Sequence, residues 1–495
     1  MQLTFPKEIR AIIELLRKEG FAAFLVGGCV RDLLINRESQ DWDVATDAKP
    51  AEIQKIFPES VYENQFGTVA VKTGSEDEKL KLVEITTFRE EGKYSDRRHP
   101  DEIKFAETVE EDLSRRDFTI NAIALEIKDS EAEDRDEENF RIIDPYDGQA
   151  DLKKKVIKAV GNPDERFGED ALRMMRAVRL SAELGFEIEA GTAEAIKKNS
   201  ALLKFMAEER VRDELVKIVL SPRAKEAIEE LERISLLKYI IPELREGLGM
   251  SQNLHHIYTV WEHNLRALDY AVGKNYDLVV RLAALLHDVG KPRTKRGEGP
   301  HATFYNHEVA GARMTQKIME RLKFPKDVSE RVVHLVRFHL FYYNVGEVTE
   351  AGVRRFLQRV GVENVDDLVK IREADRIGSG VPKAVPYKLR HLRFMIDKVR
   401  QDPISPKMLK VNGTDVMEIL RLEPGPKVGY ILAALLEEVL DKPERNEKDY
   451  LVSRMKELDK MSEGELKRLF ESARKKKEEF EGEAEREIKE KYYVK

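Results

Sequence analysis

An apolar run of strand length that breaks at two glycines and resumes as a helix leaves few foldings open to residues 21–47, FAAFLVGGCVRDLLINRESQDWDVATD. Residues 21–26 predict a strand, Gly27 and Gly28 a tight turn, and 29–35 a short helix carrying Arg31 and Asp32. A second strand is expected to hold Asp41 and Asp43 on either side of Trp42. Positions i and i+2 of a strand share a face, so both carboxylates should point one way and Trp42 the other. Paired carboxylates repel unless a cation lies between them. Mg²⁺ favours such oxygen ligands and recruits substrate phosphates to complete its shell. The glycine turn offers backbone N–H groups at a helix N-terminus, a seat for phosphate. Alone, a Gly-Gly is usually a turn and an Asp-x-Asp a solvated loop. In this order they predict a metal-dependent site for a nucleoside triphosphate.

The words GGCVRD and DWDVATDA resemble the nucleotidyltransferase head shared by tRNA CCA-adding enzymes and bacterial poly(A) polymerases. The resemblance implies an α+β fold: a polymerase-beta-like head with a mixed sheet and helices, then an all-α neck, HD body and tail. It implies Asp41 and Asp43 as catalytic magnesium ligands, with Gly27, Gly28, Arg31 and Asp32 at the nucleotide.

A length of 495 residues predicts about three to four domains. The net charge of −7 argues weakly against a nucleic-acid binder, but a summed charge hides local patches. The single cysteine, Cys29, excludes an intrachain disulfide. The opening MQLTFPKEIR lacks an apolar signal core, and the run LVVRLAALL is broken by Arg281. The expectation is a soluble cytoplasmic protein with no membrane partner; oligomeric state is left open.

Residues 7–19 predict a helix with Ile9, Ile12, Ile13 and Leu16 on one face. Strands are expected at 68–72 and 80–88. Glu84, in the second, is a candidate third metal ligand, although such a charge more often faces outward. Residues 89–105, REEGKYSDRRHPDEIKF, read as a mobile loop. CCA-adding enzymes carry a loop of similar wording, and relatives that add only cytidines lack it. In EDLSRRDFTINAIAL, Asp117 and Asn121 share a helical face at i, i+4, next to Arg115 and Arg116. Arginine offers phosphate a planar fork, while Asp and Asn suit ribose hydroxyls. RRDF resembles the family's ribose-selecting motif. The acidic stretch 129–139 predicts a solvated loop.

From residue 161, GNPDERFGEDALR, the chain turns helical. Asp170 and Arg173, at i, i+3, are expected to face one groove. Asp accepts only and Arg donates only, which suits the amine-beside-nitrogen edge of C and A and opposes U and G. In an arbitrary helix such a pair is a surface salt bridge; here EDALR resembles the template motif of CCA-adding enzymes, in which Glu169 would hold the arginine. Arg176 and Arg179 form a basic edge, for RNA phosphate or solvent. Residues 207–222 predict a neck helix.

Eight of the ten histidines lie between His255 and His339. Histidine is the commonest ligand of transition metals. The words LLHDVGKP, FYNHEVAGA, HLVRFHL and IREADRIGSG resemble the HD phosphohydrolases. The resemblance places His263, His287, Asp288 and Asp375 on one divalent transition metal of open identity. Asp288 would bridge to a second ion with His307 and His334, and Lys291 would meet substrate phosphate. His255, His256, His301 and His339 stay unassigned. After Gly378 the pattern is helical; residues 403–451 resemble the family's tail, which holds tRNA, and residues from 462 predict a charged, solvated helix.

The expected divisions are head 1–147, neck 148–222, HD domain 223–395, tail 396–460 and charged helix 461–495. The expected activity is addition of CCA to tRNA from CTP and ATP, with an added phosphohydrolase. The rivals are an enzyme adding only the terminal A, a poly(A) polymerase, and an HD signalling-nucleotide hydrolase or RNA-binding sensor with a silent head.

Overall fold

The computed structural model describes residues 3, 5–39, 41–62, 67–91, 103–128, 140–253, 257–400, 405–469 and 471. The chain forms two compact units, Met1–Pro242 and Glu243–Lys495.

The first unit is a seven-stranded sheet with its helices, followed by further helices. Helix α1 (Lys7–Lys18) buries Ile9, Ile12, Ile13 and Leu16, each worth about 1.5–3 kcal/mol over exposure. The sheet is built from β1 (Ala23–Val26), β2 (Asp43–Thr46), β3 (Ser60–Tyr62), β4 (Thr68–Lys72) and β5 (Leu82–Thr87), with two later strands described below. Helices α2 (Gly28–Leu34) and α3 (Pro50–Ile56) connect the early strands. The expected loop at 89–105 begins and ends as an antiparallel pair, β6 (Arg89–Glu91) and β7 (Ile103–Phe105); residues 92–102 lie outside the described set. Helix α4 (Val109–Ser114) precedes β8 (Ala124–Ile127) and β9 (Phe140–Ile143). The acidic stretch 129–139 also falls outside the described residues. Strand order is β3-β4-β5-β2-β1-β8-β9. Only β2 and β5 run parallel, so the sheet is mixed. Val26, Ala45, Phe88, Leu113 and Ala124 meet in a core beneath it.

Helices α5 (Gly148–Lys154), α6 (Pro163–Glu169), α7 (Leu172–Leu184), α8 (Ala190–Asn199), α9 (Glu208–Leu220) and α10 (Ala224–Arg233) complete most of this unit. The neck is not purely helical: Val156–Ile157 and Glu187–Ile188 form a short parallel pair. Among the described residues the second unit has helices and no strand. No helix among them is long and apolar enough to cross a membrane.

Candidate active sites

In the head, pairing brings three separate segments to one end of the sheet. Leu25 pairs with Val44, so Val26 and Gly27 arrive opposite Asp43. Val26 also pairs with Ala124, which delivers Asn121, just upstream, to the same end. Gly27 has φ +80°, and a Cβ there would lie 2.9 Å from Arg116 Nη1 and 3.3 Å from Asp43 Oδ2. Only glycine satisfies both the left-handed backbone and that approach.

Asp41 does not belong to the strand, contrary to expectation. Its carbonyl accepts from the Ser39 hydroxyl at 2.8 Å, and β2 begins at Asp43. Trp42 is buried and Asp41 exposed. The two carboxylates remain close enough to interact. Burial pushes the Asp43 carboxyl up, Arg116 pulls it down, and Asp41 lifts it again. Glu84 pairs in register with Asp43 across parallel strands, so both project from the same sheet face. Three carboxylates gathered at one sheet end, one held above its usual range, are a donor set suited to a hard divalent cation.

Asp117 and Asn121 do come together, but not on a helix. α4 ends at Ser114, and the Asp117 carboxylate accepts from the Phe118 backbone N–H at 2.8 Å. That local bond competes with helical pairing and turns the chain. A 3₁₀ turn, Thr119–Asn121, then sets Asn121 Nδ2 3.2 Å from Asp117 Oδ1. Asn121 Oδ1 accepts from Arg31 at 2.9 Å, and Arg31 in turn holds Asp32. Burial opposes charge on Asp117, but Arg176, donating twice to Oδ2, and Asn121 hold its carboxyl well below the usual range. Arg115 and Arg116 both rest on the buried carboxylate of Asp112, which fixes where their forks lie.

The expected template pair also sits differently. Asp170 is extended, at φ −140° and ψ 107°, in the junction between α6 and α7. Its Oδ1 accepts from Leu172 N–H, the first of α7, at 3.0 Å, so the residue lies ahead of that helix instead of sharing a helical face with Arg173. Its Oδ2 accepts from Arg210 of α9 at 2.8 Å. Arg173 donates to Glu169 at 2.5 Å and to the Arg115 carbonyl at 3.1 Å. Arg176 and Arg179 are no outward basic edge: they pair with Asp117 and Glu214. Arg210 carried no sequence signal beyond its place on the neck helix.

In the second unit, four helices and their ends converge. His263 lies on helix Val260–Gly273, His287 follows helix Leu278–Leu286, His307 opens helix His307–Arg321, and Asp375 lies on helix Val365–Gly378. His263 Nε2 is 2.9 Å from His287 Nε2, 3.0 Å from Asp288 Oδ2 and 3.4 Å from Asp375 Oδ1. His307 Nε2 is 3.1 Å from Asp288 Oδ1. Two groups have ligand atoms mutually within 4.8 Å: His263, His287 and Asp288, and Asp288, His307 and His339.

His334, expected in the second group, is not there. It packs on the Phe338 ring with centroids 4.7 Å apart, and His339, five residues on, takes its place. Five residues advance a helix by well over one turn, so two such side chains cannot share a face. His255 and His256 lie outside the described residues, and His301 belongs to neither group.

The Nδ1 atoms of His287, His307 and His339 lie 2.8, 2.7 and 2.8 Å from the carbonyls of Ala284, Phe304 and Val336. A carbonyl only accepts, so each Nδ1 carries the proton and each Nε2 presents a lone pair inward. Burial pushes His287 down and His339 down to about 3, which keeps both neutral. His263 Nε2 faces the His287 Nε2 lone pair at 2.9 Å, so a cation between the two rings would find a nitrogen on each side. Burial opposes charge on Asp288, yet Lys291 and the neighbouring histidines hold its carboxyl well below the usual range. Lys291 Nζ lies 2.5 Å from Asp288 and 2.7 Å from Gln252 Oε1. Gly290 makes this packing feasible: a Cβ there would lie 2.2 Å from the His307 carbonyl and 2.5 Å from Gly311 N.

The profile described as the Poly A polymerase head domain matches residues 23–158. That of a probable RNA and SrmB-binding site of polymerase A matches 185–248, and the HD domain matches 260–379. An A-adding tRNA nucleotidyltransferase of Deinococcus radiodurans is 35% identical, over 84% of this chain and 91% of that one. A CCA-adding enzyme of Ligilactobacillus salivarius is 33% identical, over 91% of this chain and 96% of its own. The crystal structure of the Bacillus stearothermophilus CCA-adding enzyme in complex with CTP aligns at a TM-score of 0.64 and 28% identity, covering 92% of this chain and 98% of that one.

Proposed function

The chain belongs to the tRNA nucleotidyltransferase family of CCA-adding and A-adding enzymes, and we propose that it builds the whole CCA end of tRNA from CTP and ATP. The observation that carries this reading is the separate anchoring of the base-reading pair, Asp170 by Arg210 and Arg173 by Glu169. An acceptor and a donor held apart by different helices can meet the edge that cytosine and adenine share. Asp41 and Asp43, with Glu84 beside them, would hold Mg²⁺, which supplies activation of the attacking 3′ hydroxyl and charge for the departing pyrophosphate. Arg116, beside Gly27, places a positive charge where the triphosphate would lie. The tRNA 3′ oxygen forms a bond to the α-phosphorus, the bond to the β-phosphate oxygen breaks, and pyrophosphate leaves.

The experiment is incubation of a tRNA ending at its discriminator base with CTP alone and with CTP plus ATP, followed by 3′-end sequencing. Two cytidines from CTP alone, and CCA from both, are expected. No cytidine incorporation would reduce the enzyme to one adding only the terminal A.

The second unit supports a metal-dependent phosphohydrolase. His263, His287, Asp288 and Asp375 would hold one divalent ion, with Asp288, His307 and His339 placed for another. Such ions supply a nucleophilic hydroxide and charge for the leaving oxygen. Hydrolysis of p-nitrophenyl phosphate and of a 2′,3′-cyclic nucleotide tests it. Activity that survives His287→Ala would remove the assignment.

A further inference from the structure

Helix Tyr387–Val399 carries apolar groups on its outer face as well as on its inner one. Its buried stripe is ordinary, with Leu389, Leu392, Ile396 and Val399 packed inward. Its outer stripe carries aromatic rings. Tyr387 is 61% and Phe394 62% exposed, and half-buried His391 lies between them. Positions 387, 391 and 394 are spaced i, i+4, i+7 and form one continuous row. Ring centroids are 5.9 Å apart from Tyr387 to His391 and 6.1 Å from His391 to Phe394. Tyr343, from a separate segment, adds a fourth ring and hydrogen-bonds His391 Nδ1, which fixes the central ring. Contiguous exposed rings of this size mark a surface that is covered in use.

The charge around the row indicates what covers it. Residues 376–400 hold seven Lys or Arg and a single Asp, in a chain whose net charge is −7. Arg393 and Lys398 are committed to Glu373 and Glu350. Arg390 is exposed, and exposed Lys388 donates to Asn344 Oδ1 beside Glu347. Aromatic platforms beside exposed cations are the surface that unpaired nucleotides select: bases stack on the rings and phosphates meet the cations. A fully paired duplex hides its base faces and gains little from such a row.

We propose that this face binds unpaired bases of the RNA substrate, stacking them on Tyr387, His391 and Phe394 with their phosphates at Lys388 and Arg390. The proposal rests on the reading that the substrate is tRNA. Its test uses the full chain carrying Tyr387→Ala with Phe394→Ala, and filter binding to a tRNA transcript and to a blunt duplex RNA over a range of salt. The double variant is expected to raise the tRNA Kd about tenfold or more. Duplex affinity and kcat at saturating tRNA should stay unchanged. Arg390→Gln should lower the slope of log K against log salt by about 0.7. Tyr387→Phe with Phe394→Tyr keeps the rings and should bind as the unaltered protein does, which separates stacking from misfolding. Unchanged tRNA affinity in the double alanine variant would overturn the proposal. So would loss of a dimer in light scattering, since the row would then be a contact between copies. If the unaltered protein adds no nucleotide to tRNA yet the double variant loses tRNA binding, the catalytic reading fails and this one stands.

Discussion

Asp170 accepts a hydrogen bond at 2.8 Å from Arg210, a residue forty positions further along the chain and on a different helix. The carboxylate proposed to read the base edge is therefore aimed from outside its own motif. Arg210→Ala removes that aim while leaving Asp170 and Arg173 in place. The loss of one such partner is worth about 1–3 kcal/mol. The kcat/KM ratio of CTP over UTP should fall roughly tenfold or more, and Arg210→Lys should restore part of it. An unchanged ratio would detach Arg210 from base choice.

Asp43→Asn should stop nucleotide addition, with a rate loss of roughly a thousandfold or more. Its effect on stability should have the opposite sign. Burial holds the Asp43 carboxyl above its usual range, so the charged form costs stability in the folded, metal-free protein. In EDTA at pH 8 the variant should melt at or above the temperature of the unaltered protein. A clear drop in Tm would show that Asp43 has a supporting role in the fold.

The exchange of His339 for His334 can be read from metal content. Mass spectrometry of digested protein should find less bound divalent metal per chain in His339→Gln and an unchanged amount in His334→Gln. The reverse pattern would refute the second ligand group.

His339 also sets a pH dependence. In the folded protein it takes up a proton only near pH 3, whereas an unfolded histidine does so near about 6.5. Between those values the unfolded state binds more protons, so stability falls as pH falls. The slope from this one group is about 1.4 kcal/mol per pH unit. Urea melts of chelated protein at pH 6 and 4.5 should show it, and His339→Gln should flatten it.

The head was legible where the pattern was long and local. Strand, glycine turn and helix at 23–34 follow from an apolar run with a breaker, and the face of α1 follows from its spacing. His263, His287, Asp288, His307 and Asp375 were legible as words. Asp117 and Asp170 were misplaced for one shared reason: each carboxylate bonds a nearby backbone N–H and so leaves the helix that its spacing suggests. Asp41 left its strand when Ser39 took its carbonyl. Spacing cannot foresee such short-range competition. Nor could HLVRFHL say which histidine turns inward, because that depends on the helices packed around it.

The bare contact at Gly290 leaves the histidine centre no slack. A methyl group there would wedge the His307 segment outward and disturb the second ligand group in one stroke. A chain altered at that one position would lose the inner arrangement of its histidines with every candidate ligand still present in its sequence.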